Sequence, residues 1–148
     1  LEFRGLEASD YEAWYALFRG YREFHHIPES AENIDRVWGW LRDPLHPSTT
    51  ILAIEERSIL GFANFRIRPR SIVGDHVIDL DDLYTDPNTR GRGVASSLIR
   101  ELEFWARDHG CSEIHLQTND WNTNAREFYR KIAEEMPWIT IVKKVGDS

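Results

Sequence analysis

The sequence has little of what would place it quickly. Cys111 is the single cysteine in 148 residues, so no internal disulfide can form and a reducing, cytoplasmic setting is expected. No stretch approaches the roughly 18 consecutive apolar residues of a membrane span. The opening residues LEFRGLEASD lack the basic-then-apolar order of a secretory signal, and none is expected. Positive charge is not in excess: the formal net charge is −7, which argues against broad binding to a phosphate backbone. Neither nucleic acid nor membrane is an expected partner. Gly-Lys-Ser/Thr, GxGxxG, HExxH and CxxC are all missing, so the Walker and Rossmann fingerprints are excluded and no metal is expected. With no repeat, low-complexity tract or linker, residues 1–148 read as one domain.

What is present describes a folded chain rich in rings. Hydrophobic residues make up 41% and aromatics 12%, with six tryptophans. The acidic balance suits a cationic small substrate. Residues 1–7 read as a short strand. Tyr11, Trp14, Tyr15 and Phe18 recur at threes and fours, predicting a helix capped by Ser9 or Asp10. Ile34, Val37, Trp38 and Leu41 predict a second helix, ending before Pro44. Residues 50–54 and 59–68, split by a short polar piece, read as an antiparallel hairpin. A strand over 77–85 leads through Asp86-Pro87-Asn88 into a helix carrying Val94, Leu98, Leu102 and Trp105, which Gly110 ends. Ile114, Leu116 and Thr118 alternate as a strand. Ala125, Phe128, Tyr129, Ile132 and Ala133 give a fourth helix, and residues 138–143 a final strand. The order β-α-α-β-β-β-α-β-α-β makes an α/β sandwich whose sheet is mostly antiparallel at first.

The most informative stretch joins the 77–85 strand to the helix after it. A Gly-rich turn that opens a helix aims several unpaired backbone N–H groups at one spot, and the helix dipole favours an anion there, a pyrophosphate in particular. Gly91 and Gly93 let a ligand approach the main chain, and Arg90 and Arg92 can add charge-assisted bonds to phosphate oxygens. Taken alone, such a turn reads first as a solvated surface feature. Asp81 and Asp82, adjacent on the strand before it, should face opposite sides unless a bulge intervenes.

Arg90-Gly91-Arg92-Gly93-Val94-Ala95 resembles the Q/R-x-x-G-x-G/A acetyl-coenzyme A motif of the GCN5-related N-acetyltransferase (GNAT) superfamily. The preceding Asp81-Asp82-Leu83-Tyr84-Thr85-Asp86-Pro87 is similar to its acidic-acidic-Leu-Tyr-Val-x-Pro signature. The segment from Asn122 through Ala125, Phe128, Tyr129 and Lys131 resembles its N-x-x-A-x-x-F-Y-x-K helix. The resemblance covers about residues 77–133 and is nearest to small members acting on polyamines, histone tails or free amino acids. It implies a three-layer α/β sandwich, with a central mixed, largely antiparallel twisted sheet and helices on both faces. It also implies transfer of acetyl from acetyl-CoA to a primary amine of a small molecule or peptide, by direct attack in a ternary complex. A non-catalytic acyl-CoA sensor of the same fold is the alternative. Two departures stand out: Ala133 replaces the usual glycine, and residues 134–145 are short for two C-terminal strands. A second subunit is a candidate to complete the acceptor pocket, so a homodimer is expected.

By the same resemblance, the main chain of Leu83, Tyr84 and Thr85 pairs with the pantetheine arm. Residues Arg90, Gly91, Arg92, Gly93, Val94 and Ala95 take the pyrophosphate, Ser96 adds its N–H or hydroxyl, and Lys131 joins the cofactor contacts. Asp81 is favoured over Asp82 as the base or amine-positioner, with Asp79 helping to neutralise a cation. An N–H near Leu83 is the oxyanion donor. Tyr129 is the candidate general acid, a packed aromatic being the plain alternative. Asn122 bonds the pantetheine amide or caps the fourth helix. His25 and His26 are expected to be solvated, at the entrance at most, and Cys111 buried and inert.

Overall fold

The computed structural model describes residues 1–146. Its residues fall into two compact units, Leu1–Gln117 and the stretch from Thr118 onward. The first is built on a five-stranded sheet whose spatial order follows the chain: β1 (Glu2–Arg4), β2 (Thr49–Glu55), β3 (Ser58–Arg70), β4 (Asp75–Thr85) and β5 (Cys111–Leu116). The first four strands pair antiparallel and β5 joins β4 in parallel, which makes the sheet mixed. Three helices complete this unit: α1 (Tyr11–Phe24), α2 (Ala31–Arg42) and α3 (Val94–Asp108).

Alternation along β3 decides which helix covers which face. Phe62 is fully buried and packs with Trp14 and Phe18 of α1, Ile34 of α2, and Leu52 and Ile54 of β2. Its neighbours Gly61 and Ala63 must point the other way. That other face meets α3: Leu98 lies beside Gly61, and the rings of Phe65 and Trp105 stand edge to face at 4.7 Å. Helices therefore sit on both faces, the three-layer arrangement expected. Burying a ring such as Phe62 or Phe65 contributes about 2–3 kcal/mol.

Local chemistry sets the helix ends. The Ser30 hydroxyl accepts from the Asn33 N–H at 3.1 Å and caps α2. Asp10 does occupy the residue before α1, but its carboxylate does not cap that helix. It takes two bonds from Arg4 and one from the Glu7 N–H instead. A guanidinium outcompetes a backbone amide for a carboxylate, because both partners carry charge. The β2–β3 turn places Glu56 and Arg57 at φ 49° and 70°. Both are left-handed, as a tight hairpin with matching twist requires.

The second unit holds α4 (Thr123–Arg130). The strand expected over residues 138–143 does not form: no ladder is assigned from residue 131 to 146. Its β-branched composition suits a strand, but that preference is realised only against a neighbouring strand.

Gly61 has the least room of the nine glycines. A Cβ there would sit 2.8 Å from the Tyr84 carbonyl oxygen and 3.3 Å from a Leu98 methyl. Gly61→Ala should force β3 from β4 or shift α3, lowering stability by about 1–3 kcal/mol. Urea unfolding would read this as a lower midpoint, and an unchanged midpoint would contradict the close packing.

Candidate active site

The turn after β4 is fixed by its own short hydrogen bonds. The Asp86 N–H donates to the Leu60 carbonyl at 2.8 Å, tying the turn to β3. The Asp86 carboxylate accepts from the Asn88 N–H at 2.9 Å. The buried Thr89 hydroxyl donates to the Asp86 carbonyl at 2.8 Å. Gly91 and Gly93 then take φ 81° and 74°, and α3 begins at Val94. The space where either would carry a Cβ is open, so the left-handed backbone is what requires glycine here. The first bond of the helical ladder comes from the Ser97 N–H to the Gly93 carbonyl. The N–H groups of Val94, Ala95 and Ser96 precede it and face outward along the axis, the arrangement that attracts an anion. Arg90 is exposed beside them. Arg92 is held by Glu55 at the hairpin tip, 2.7 Å away.

Upstream on β4, the bulge that the sequence left open is present. Asn64 pairs with Asp82, yet Phe65 pairs with Leu80, so Asp81 is the extra residue. Asn64 and Arg66 share one face of β3. Asn64 donates to Asp82 at 3.0 Å, and Arg66 grips Asp81 through two bonds of 3.0 and 3.3 Å. The bulge thus turns both carboxylates toward one side of β3, where regular alternation would oppose them. Partial burial raises the pKa of Asp81. The Arg66 guanidinium against both oxygens pulls the other way, and 37% of the side chain is in solvent. Asp82 also accepts from the Tyr21 hydroxyl of α1 at 2.7 Å. Asp79 is claimed by Arg66 and Arg68, at 3.3 and 2.7 Å.

In the second unit, the Asn122 side chain accepts from the Ala125 N–H at 3.3 Å and caps α4. Lys131 follows the helix as its C-cap. Tyr129 lies in the last turn, its ring against Phe128, and burial pushes its phenol up to about 12. It therefore holds its proton throughout the neutral range.

The remaining candidates are quieter. Cys111 is buried and its thiol pKa is raised by that burial. Burial also lowers the pKa of His25, against an opposing pull from Asp82. His26 sits in a left-handed turn at φ 58°. Sequence reading overlooked Asn64, Arg66 and Arg68, and the bond from the Tyr21 hydroxyl to Asp82. A signal existed for the first three: in Asn64-Phe65-Arg66-Ile67-Arg68, polar groups alternate opposite an acidic strand.

The Arg70 guanidinium bonds both oxygens of Asp75, at 2.8 and 2.7 Å, and Ser112 adds a third bond. These hold the Asp75 carboxyl down at about 2, against an ordinary value of about 3.9. A depressed pKa lends stability that is complete above about pH 4 and lost as pH falls through about 2. Asp75→Asn should thus be less stable than wild type at pH 7, with the gap closing between pH 4 and 2. Denaturant titrations across that range would show it, and a gap that survives at pH 2 would exclude the ion pair as its source.

Comparison with known proteins now adds to this geometry. The Acetyltransferase (GNAT) family model matches residues 11–133. The thialysine N-epsilon-acetyltransferase of Bos taurus is 36% identical over 58 residues, 39% of this chain and 34% of that enzyme, so the match spans about a third of that relative. The uncharacterized N-acetyltransferase YhfO of Bacillus subtilis (strain 168) is 27% identical over 133 residues, 88% of this chain and 87% of that protein. Among solved structures, AAC(6')-Iy in complex with the bisubstrate analog CoA-S-monomethyl-acetylneamine matches with TM-score 0.79 and 23% identity, over 98% of each chain. That last likeness is one of fold. With the family match covering most of its length, and a glycine turn opening α3 behind a bulged acidic strand, the chain belongs to the GNAT acetyltransferase family.

Proposed function

We propose that this chain transfers acetyl from acetyl-CoA to a primary amine by direct attack, with no acyl-enzyme. One observation carries the reading: β4 runs from a bulged pair of carboxylates into a turn that bares the N–H groups of Val94, Ala95 and Ser96. The thioester and its diphosphate have matching needs. Arg90 to Ser96 grip the diphosphate, and the main chain of Leu83, Tyr84 and Thr85 lies along the pantetheine arm. An alkyl ammonium has a pKa of about 10 and must shed a proton before its nitrogen can attack. The Asp81–Asp82 pair supplies a carboxylate to receive that proton. The nitrogen–carbon bond forms and the nitrogen sheds its second proton to water, the carbon–sulfur bond breaks, and the leaving thiolate takes the Tyr129 proton, which water then restores. Asn122 and Lys131 complete the cofactor contacts. The thialysine enzyme and the coenzyme A-linked analogue bound to AAC(6')-Iy favour the same pairing of amine with coenzyme A.

Two measurements test this. Calorimetry with acetyl-CoA should give saturable heat, and thiol release should depend on an added primary amine. Tyr129→Phe should lower kcat about 10²-fold while KM for acetyl-CoA moves by less than about threefold. No heat at millimolar acetyl-CoA would end the proposal. Saturable heat with no turnover on any amine would leave a sensor in its place.

A further inference from the structure

Four β3 side chains on one face, Asn64, Arg66, Arg68 and Arg70, oppose acidic groups on β4 and β5. Three of these rungs are neutralised. Arg70 holds Asp75 and Glu113, Arg68 holds Asp79, and Arg66 holds Asp79 and Asp81. The fourth differs. Asp82 stands opposite Asn64, and its two oxygens take the Tyr21 hydroxyl and the Asn64 amide, both uncharged donors. No arginine or lysine among the described residues pairs with it.

The same rung is also short of a hydrogen-bond donor. Asn64 is 4% exposed. Because a carboxylate only accepts, the Nδ2 group must face Asp82, which fixes the amide orientation and turns Oδ1 away. That Oδ1 is buried and has no hydrogen-bond partner, an unfavourable condition. Beside this rung stand the rings of Tyr21, Phe62 and Tyr84, their centroids 5.4 to 6.1 Å apart. The rung thus offers a carboxylate with no arginine or lysine on it among the described residues, beside an apolar aromatic wall. A primary alkylammonium carries both complements: a positive charge and an aliphatic body that packs on rings.

We infer that Asp82, positioned by Asn64, is the carboxylate that receives the acceptor amine, and that Asp81 serves the arginine ladder instead. The inference rests on the transferase reading above and names the residue within it. The ammonium docks on Asp82 and gives this carboxylate one proton, which frees the nitrogen lone pair for attack. As the nitrogen bonds to the acetyl carbon it sheds a second proton to water, and the thiolate leaves with the proton that Tyr129 supplies. Asp81 is poorly suited to the task, since protonating it would break a bidentate bond to Arg66.

The test titrates wild type, Asp82→Asn, Asp81→Asn, Tyr21→Phe and Asp75→Asn with n-butylamine and 1,4-diaminobutane, without acetyl-CoA, by calorimetry. n-Butanol is the uncharged control, and thermal melts verify folding. Asp82→Asn should weaken amine binding at least tenfold, and Asp81→Asn at least fivefold less than that. Asp75→Asn should stay within twofold. Tyr21→Phe frees a lone pair on Asp82 and should tighten binding about twofold to fivefold, whereas a merely structural Tyr21 would weaken it. The inference is overturned if Asp81→Asn causes the larger loss, if butanol binds as well as butylamine, or if wild type binds neither amine. Amine binding that depends on Asp82 in a protein giving no heat with acetyl-CoA would uphold this site and sink the transferase reading instead.

Discussion

The pairing of β3 with β4 governs everything else described here. It is the longest ladder in the sheet, and its single slip at Asp81 sets the direction of each acidic side chain beyond it. Without the slip, Asp81 and Asp82 would point to opposite faces, one toward α3 and one toward α1. With it, both carboxylates turn to the side where Tyr21, Asn64 and Arg66 wait. The same pairing positions the turn that follows, because the Asp86 N–H reaches back to Leu60 on β3. Anion cradle and acidic pair are thus two ends of one strand, aligned by one neighbour.

The charged ladder on this face is best understood as support. Cross-strand pairs of partly exposed arginines and aspartates contribute little each, roughly 0–1 kcal/mol. Their collective effect is orientation: every guanidinium bridging two acids restrains both. Such a network also sharpens the contrast with any rung that departs from the pattern, and Asn64 is that departure.

Much of the fold was legible in the sequence because its signals are local. Apolar spacing found all four helices, though the fourth ends at Arg130, short of Ile132 and Ala133, and the glycines at 91 and 93 marked the turn into α3. The failures share a cause in non-local contacts. Asp10 was read as a cap from its position alone, but Arg4 claims it from β1. Residues 138–143 have strand composition, and composition cannot supply a partner. At the candidate site, the glycine turn that opens α3 was readable from its spacing. The Tyr21–Asp82 bond was not, since 61 residues separate its ends. Nor was the bulge, which exists only in the register between two strands.

The contact between Arg92 and Glu55 bears on how selective the cradle is. Arg92 begins with an anion already resting on it, so an arriving phosphate exchanges one counterion for another and gains only the difference. A singly charged guest offers about what the carboxylate already provides, and Glu55 competes with it on even terms. A diphosphate brings more charge and can span Arg92 and the helix amides together. On the proposed reading of the turn, the hairpin tip thereby tilts it toward a multivalent chain of phosphates and away from chloride or acetate.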